Sequence, residues 1–294
     1  MAATIEPAQE CLITAELPRR ASWQLRLAHA ILGVTVRKFF NAAVWAQHHH
    51  LLPKIVALQI LTRFDRPLAL LRPPRGTKLQ RTDFPDFRAE WVWDPAAADP
   101  PEAATGAVLY FHGGGLITCG LNSHRRIVAR LSTATELPVY NVEYRQIPDA
   151  HVTQTVEDCV RAYRRLLEIG VPPERIVFAG DSAGGGLIFS TALASRDRGL
   201  PMPAALVAIA PWANYDRAAR AAHPNDKTDP VLSADTLDLP VEWGMRRRGG
   251  LDPAWSPVNH DFSGLPRTLI QAGSTEVLLT DAYEVAARCV QAAV

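Results

Sequence analysis

The segment Ile176-Val177-Phe178-Ala179-Gly180-Asp181-Ser182-Ala183-Gly184-Gly185-Gly186-Leu187 sets a serine between an apolar run and a helix-like run. The apolar residues suit a short strand buried on both faces. Glycines flanking Asp181-Ser182-Ala183 let a helix approach that strand without Cβ clashes. Gly180-Asp181-Ser182-Ala183-Gly184 fits Gly-x-Ser-x-Gly, in which a serine at a sharp strand-to-helix turn is held in a strained conformation with its Oγ exposed. The helix N-terminus behind it favours negative charge. A pattern with so few fixed positions recurs by chance, so it needs support from elsewhere in the chain.

That support lies upstream. Ala107-Val108-Leu109-Tyr110-Phe111 is another short apolar run, and it ends at His112-Gly113-Gly114-Gly115. Glycines at a strand end allow backbone N–H groups to turn toward a carbonyl oxygen that gains negative charge. The amides of Gly114, Gly115 and Ala183 are the candidate donors, with His112 and Gly113 shaping the loop. A phosphate-cradling loop would require Gly-x-x-x-x-Gly-Lys-Ser/Thr or Gly-x-Gly-x-x-Gly, and neither is present.

The same rhythm extends both ways. Strands are expected at 87–93, 107–111, 139–144, 175–180, 205–209 and 268–272, with helices after Ser123 and over 156–167. Strands alternating with helices imply an α/β fold whose central sheet is mostly parallel and covered by helices on both faces. Residues 1 to about 75 read as helical with proline breaks, and Arg72-Pro73-Pro74-Arg75-Gly76 is a stop signal. The expected division is a helical cap region over 1–80 and the α/β domain over 81–294. Residues 212 to 262, rich in Pro and Asp, read as a substrate-facing insertion.

Composition narrows the function classes. The 294 residues are 48% hydrophobic, and 31 Lys and Arg against 30 Asp and Glu leave a net charge of +1, with no basic stripe to follow a nucleic-acid backbone. Nucleic acid is therefore not an expected partner. Cys11, Cys119, Cys159 and Cys289 lie far apart and are expected to be free, mostly buried thiols. His48-His49-His50 point in different directions on a helix and cannot share one ion, so no metal and no cofactor is expected. The N-terminus lacks a basic region followed by an apolar one, and no run of about 18 apolar residues occurs; a cytoplasmic chain is the expectation. Residues 23–64 have the pattern of amphipathic helices, read as covering the site in preference to resting weakly on a membrane surface.

The chain resembles the hormone-sensitive-lipase group of α/β-hydrolases, the carboxylesterases with HGGG and GDSAGG motifs. Besides those motifs, the resemblance rests on Glu143-Tyr144-Arg145 with Val156-Glu157-Asp158-Cys159, on Asp229-Pro230-Val231-Leu232-Ser233, on Asp252-Pro253 with Ser256-Pro257-Val258, and on Gly264-Leu265-Pro266. It covers roughly residues 87–294. It implies the α/β-hydrolase fold, a cap formed in part by the N-terminal helices, and hydrolysis of a small-molecule acyl ester through an acyl-enzyme on Ser182. The group's acid position falls on Glu276 in Gly273-Ser274-Thr275-Glu276-Val277-Leu278, with Asp281 as the fallback.

The departure concerns the base. The triad order in this fold is Ser, acid, His, yet no histidine follows His260 and the sequence ends at Val294. His112 belongs to the glycine loop, His124 and His151 read as solvated or capping, and His223 and His260 flank the variable insertion. The terminal residues 286–294 look like a helix without a C-cap signal. The reading is an esterase that is incomplete or truncated at its C-terminus, hydrolysing weakly or not at all. A non-catalytic small-molecule-binding protein is the alternative, as in plant gibberellin receptors, which resemble the group and lack the histidine. Oligomeric state is not legible.

Overall fold

The computed structural model describes residues 21–96, 101–247 and 250–294. Cys11 lies outside the described residues. The first helix, α1 (Trp23–Val34), starts at Ser22, whose hydroxyl accepts from the Leu25 N–H at 3.2 Å. This is the N-cap arrangement that satisfies one of the first turn's orphan donors. It is followed by α2 (Val36–His48) and, after Pro53, α3 (Lys54–Arg63). The Arg72 to Gly76 cluster is indeed a turn, with Gly76 at φ 90°.

The chain then builds β1 (Lys78–Asp83), β2 (Arg88–Trp93), β3 (Ala107–Phe111), α4 (Leu121–Thr135), β4 (Val139–Glu143), α5 (Val152–Glu168), β5 (Ile176–Asp181), α6 (Ala183–Asp197) and β6 (Ala205–Ile209). Short helices α7 (Ala218–Ala222), α8 (Asn225–Thr228) and α9 (Ala234–Pro240) occupy the insertion, before β7 (Thr268–Gln271) and α10 (Leu279–Gln291). The seven strands form one sheet in the order β1-β2-β4-β3-β5-β6-β7. β1 and β2 pair antiparallel, as do β2 and β4, and every pair from β4 through β3 and β5 to β7 is parallel. β1 was not expected. Its residues Lys, Leu, Gln, Arg, Thr and Asp are mostly exposed, so it lacks an apolar pattern and gains its strand character from pairing with β2. The boundary expected at 80/81 therefore falls inside a strand.

Alternation along the central strands makes two cores. Val108 and Tyr110 of β3 face α4 with Val139 and Ala179, packing on Val128 and Ala129. Leu109 and Phe111 face the other way, into a larger core with Phe178, Leu206, Tyr163 of α5 and Leu187 of α6. Two buried ion pairs tie loops to this frame. Arg145, just beyond β4, donates from Nε and NH2 to the fully buried Asp158 of α5, at 2.9 and 2.7 Å. This is why Glu143-Tyr144-Arg145 and Val156-Glu157-Asp158 occur together.

The second pair involves Asp281, the fallback candidate for the acid. Its carboxylate is buried at the start of α10, accepting from the amides of Ala213 and Asn214 at 3.0 and 2.9 Å and from Arg220 at 3.0 Å. Both of its oxygens are engaged in joining α10 to α7 and to the segment after β6. Helix α10 also ends differently from expectation: Ala293 sits at φ 56°, and the amides of Ala293 and Val294 donate to Val290 O and Cys289 O. Replacing Asp281 by Ala would strand the buried Arg220 without its counter-charge. We expect a loss of about 3–5 kcal/mol in a denaturant titration, and a midpoint shift equivalent to less than about 1 kcal/mol, the level of an exposed pair, would contradict this anchoring role.

Candidate active site

Strand β5 ends at Asp181, and Ser182 turns the chain into α6 at φ 52°, ψ −119°. A residue with a Cβ adopts such a conformation only when its surroundings impose it. Here they do. The Ser182 amide donates to Ile209 O at 2.8 Å, and its carbonyl accepts from Trp212 N at 2.8 Å and Gly186 N at 3.1 Å. Any Cβ on Gly184 would collide with Phe111 O, and one on Gly180 would collide with Gly184 O. Glycine at both positions is what lets α6 start against β3 and β5.

The loop after β3 lies one strand away, since Phe111 pairs with Gly180. Gly114 stands at φ 118° with the Thr118 carbonyl where a Cβ would be, so only glycine fits. Among the described residues, the amides of Gly114, Gly115 and Ala183 have no hydrogen-bond acceptor. Three unspent donors flanking the serine are the requirement for stabilising an oxyanion.

Asp181 fastens this loop to the elbow. Its carboxylate accepts from the Gly113 amide at 3.0 Å and the Tyr110 hydroxyl at 2.7 Å, with His124 Nε2 at 3.3–3.4 Å. Burial alone would raise this carboxyl, but the hydrogen bonds and the charge interaction with His124 outweigh it and hold Asp181 below the usual carboxylate range. The sequence placed His124 in solvent or at a cap. It is instead buried on α4, because α4 packs this face against β3, and its Nδ1 is 2.9 Å from Ser123 Oγ. On the other side, Tyr144 stacks on His112 at 4.4 Å and donates its hydroxyl to His112 O at 2.5 Å. His112 is fully buried, with Nδ1 2.6 Å from Gly113 O. Burial, reinforced by nearby His124, lowers its pKa to about 4, so the ring is neutral and Nδ1–H donates to the loop carbonyl.

Glu276 sits on the loop after β7, at the same sheet edge as Ser182 but two strands over, because β6 intervenes. Its Oε1 accepts from the Gly273 amide at 3.1 Å, and Oε2 has no partner among the described residues. Desolvation, opposed by the Gly273 amide and assisted by Asp229, raises its pKa. Two residues not anticipated by the sequence hold this loop. Asn225 Nδ2 donates to Ser274 O and Glu276 O at 3.0 and 2.8 Å, and Asp229 Oδ2 accepts from Val277 N at 2.8 Å. The Asp229-Pro230-Val231 motif was the signal for the second.

A family model described as alpha/beta hydrolase fold matches residues 108–294. Esterase LipU of Mycobacterium tuberculosis is 39% identical over 236 residues, covering 78% of this chain and 79% of that protein. An acetyl-hydrolase of Streptomyces hygroscopicus is 43% identical over 197 residues, covering 66% of this chain and 63% of that protein. A crystal structure of an esterase from the bacterial hormone-sensitive lipase family is similar with a TM-score of 0.70 at 32% identity, covering 78% of this chain and 76% of that one. The chain belongs to the hormone-sensitive-lipase group of α/β-hydrolases. These relatives are named as hydrolases, which favours an enzyme over the binding-protein alternative.

Among the described residues no hydrogen bond joins a histidine to Ser182. His112 and His124 are engaged as above. His151 caps α5 and lies 3.1 Å from Met245 O, His223 accepts from the Asn225 amide at 3.1 Å, His260 lies 2.7 Å from Ala254 O, and His29 lies 3.3 Å from Thr275 Oγ1. No group of three or more His, Cys, Asp or Glu among the described residues is arranged to hold a metal ion. No described helix is long and apolar enough to cross a membrane.

The neutral His112 gives a pH signature. Its folded pKa of about 4 lies below the unfolded value of about 6.5, so the unfolded chain binds the proton first and stability falls as pH drops from about 6.5 to about 4. This one site contributes a loss of about 3 kcal/mol across that window. His151, also lowered by burial, acts in the same direction. The thermal midpoint of His112→Gln is therefore expected to depend less steeply on pH over this range than that of the parent. Equal slopes would show that His112 is not held neutral.

Proposed function

We propose that the chain carries the acyl-enzyme chemistry of a carboxylesterase, with Ser182 as nucleophile and a small-molecule acyl ester as substrate. Ser182 Oγ attacks the ester carbonyl carbon as its proton passes to a base, and the carbonyl oxygen takes up negative charge opposite the amides of Gly114, Gly115 and Ala183. Collapse of the tetrahedral intermediate expels the alcohol, which receives the proton. Water then attacks the acyl-Ser182 ester and releases the acid. What supports this reading is a serine in a strained strand-to-helix elbow beside a glycine loop, with the amides of Gly114, Gly115 and Ala183 unpartnered among the described residues.

Glu276 is assigned as the acid that orients a histidine, because its Oε2 is uncommitted and Asn225 and Asp229 fix its loop. The fallback, Asp281, is spent on Arg220. The N-terminal helices contribute to the cap. Arg37 of α2 donates to the carbonyls of Asp226, Asp229 and Leu232, and Lys54 of α3 donates to Trp243 O at 2.8 Å, so both helices are tied to the insertion that faces the site.

Because no hydrogen bond joins a histidine to Ser182 among the described residues, a small diffusible base is expected to assist the reaction. Hydrolysis of p-nitrophenyl butyrate by the 294-residue polypeptide is expected to be slow and to rise at least about tenfold with added imidazole, a fraction of the 100- to 10,000-fold, roughly, that a positioned base supplies. Ser182→Ala should remove both the basal and the stimulated rate. A rate that survives Ser182→Ala would sink the assignment of the nucleophile. Rapid turnover indifferent to imidazole would show that another group already serves as base.

A further inference from the structure

We infer that the outer face of α1, α2 and α3 is a docking surface for an anionic lipid bilayer. The inward face of α2 and α3 is already occupied. Val44, Ala57 and Leu58 are buried, and Arg37 and Lys54 are spent on carbonyls of the insertion. The outward face is apolar to a degree that a water-facing cap does not need. On α1 the positions Trp23, Leu27, Ile31 and Val34 recur at i, i+4, i+8 and i+11, forming one stripe, and α1 has no buried residue at all. Trp23 is 64% exposed, Phe39 on α2 is 67% exposed and Ile60 on α3 is 60% exposed. Exposed large apolar side chains on all three helices, with a stripe of four along α1, are what an interaction surface presents.

Charge decides what the partner is. From Leu17 to Phe64 the sequence contains Arg19, Arg20, Arg26, Arg37, Lys38, Lys54 and Arg63 and no Asp or Glu, in a chain whose net charge is only +1. Among the described residues, Arg26, Lys38 and Arg63 pair with no carboxylate. Apolar residues flanked by unpaired cations are the pattern of helices that lie in the plane of an anionic interface, with the apolar side chains in the acyl boundary and the cations at the headgroups. A second copy of the chain is the poorer occupant. A two-fold contact would place the same cation-rich face against itself, with no carboxylate on it to offset the repulsion. Among the described residues no helix is long and apolar enough to cross a membrane, and the proposed association is peripheral.

The test is sedimentation of the full chain with vesicles, which does not require hydrolysis and so is independent of the esterase reading. The chain is expected to partition at least about tenfold more strongly onto vesicles of equimolar phosphatidylglycerol and phosphatidylcholine than onto phosphatidylcholine alone, as expected where several cations each contribute at the headgroups. The preference should weaken with salt. The triple variant Arg26→Glu, Lys38→Glu and Arg63→Glu should lose that preference while keeping the parent's thermal midpoint, since all three side chains are unpaired. Trp23→Ser should weaken binding to the anionic vesicles without abolishing their selection over neutral ones. Binding to neither vesicle, equal binding to both, or a concentration-dependent dimer disrupted by the same substitutions would each overturn the proposal. If the triple variant fails to fold, Trp23→Ser and the salt dependence still decide between these outcomes.

Discussion

Ser182 is held where a side-chain-bearing residue does not go unaided. A conformation of φ 52° with ψ −119° costs about 1–3 kcal/mol, and three neighbouring strands supply the restraint. β6 accepts the serine amide through Ile209 and, just beyond its end, Trp212 donates to the serine carbonyl. β3 lies directly against the start of α6, at the position where Gly184 leaves room for Phe111 O. The elbow therefore requires the order β3-β5-β6, with β5 central, and the parallel sheet is the device that over-determines it. Apolar strands buried on both faces, as in β3, make that restraint stiff.

The same economy governs the loop opposite. A glycine run offers free amides but little rigidity of its own, since glycine loses more conformational freedom on folding than any other residue. Rigidity comes from the residues around it. Asp181 takes the Gly113 amide, Tyr144 takes the His112 carbonyl, the His112 ring holds Gly113 O, and Thr118 Oγ1 donates to Leu61 O of α3 at 2.8 Å. Two of these partners flank the nucleophile or the glycines in sequence, so the motifs encode their own bracing. A neutral His112 matters here, because a fixed positive charge beside the loop would change the field acting on the serine even in the resting state.

What the sequence revealed and what it hid follow from the range of the interactions concerned. The glycines at 113–115 and 180–186 are dictated by local backbone geometry, and the strands at 107–111, 176–181 and 205–209 by a run of apolar residues within one element. Both kinds of constraint are written contiguously. β1 could not be read because its mostly exposed residues have no apolar face and its strand form depends on the register Lys78 to Trp93. His124 was misplaced because its burial comes from α4 packing against β3 and its ring partner is Asp181, 57 residues away, neither of which is legible from the local sequence. The committed state of Asp281 was invisible for the same reason, as its partner Arg220 lies 61 residues upstream in an insertion with no periodicity. The expectation that Glu276 is the acid rested on resemblance alone. Nothing in the spacing of Glu276 and Asp281 separates a carboxylate with a free oxygen from one fully bonded to buried donors.

The insertion between β6 and β7 connects the N-terminal helices to the loop after β7. Arg37 on α2 donates to the carbonyls of Asp226, Asp229 and Leu232, while the carboxylate of Asp229 accepts Val231 N and Leu232 N on one oxygen and Val277 N on the other. The backbone that receives the cap is thus the backbone whose side chain fixes the residue after Glu276. Packed and hydrogen-bonded segments move as units before their internal contacts break. Through these bonds a shift of α2 relative to the sheet would carry to the loop after β7 that holds Glu276, although no residue of α1, α2 or α3 lies within the elbow or the glycine loop.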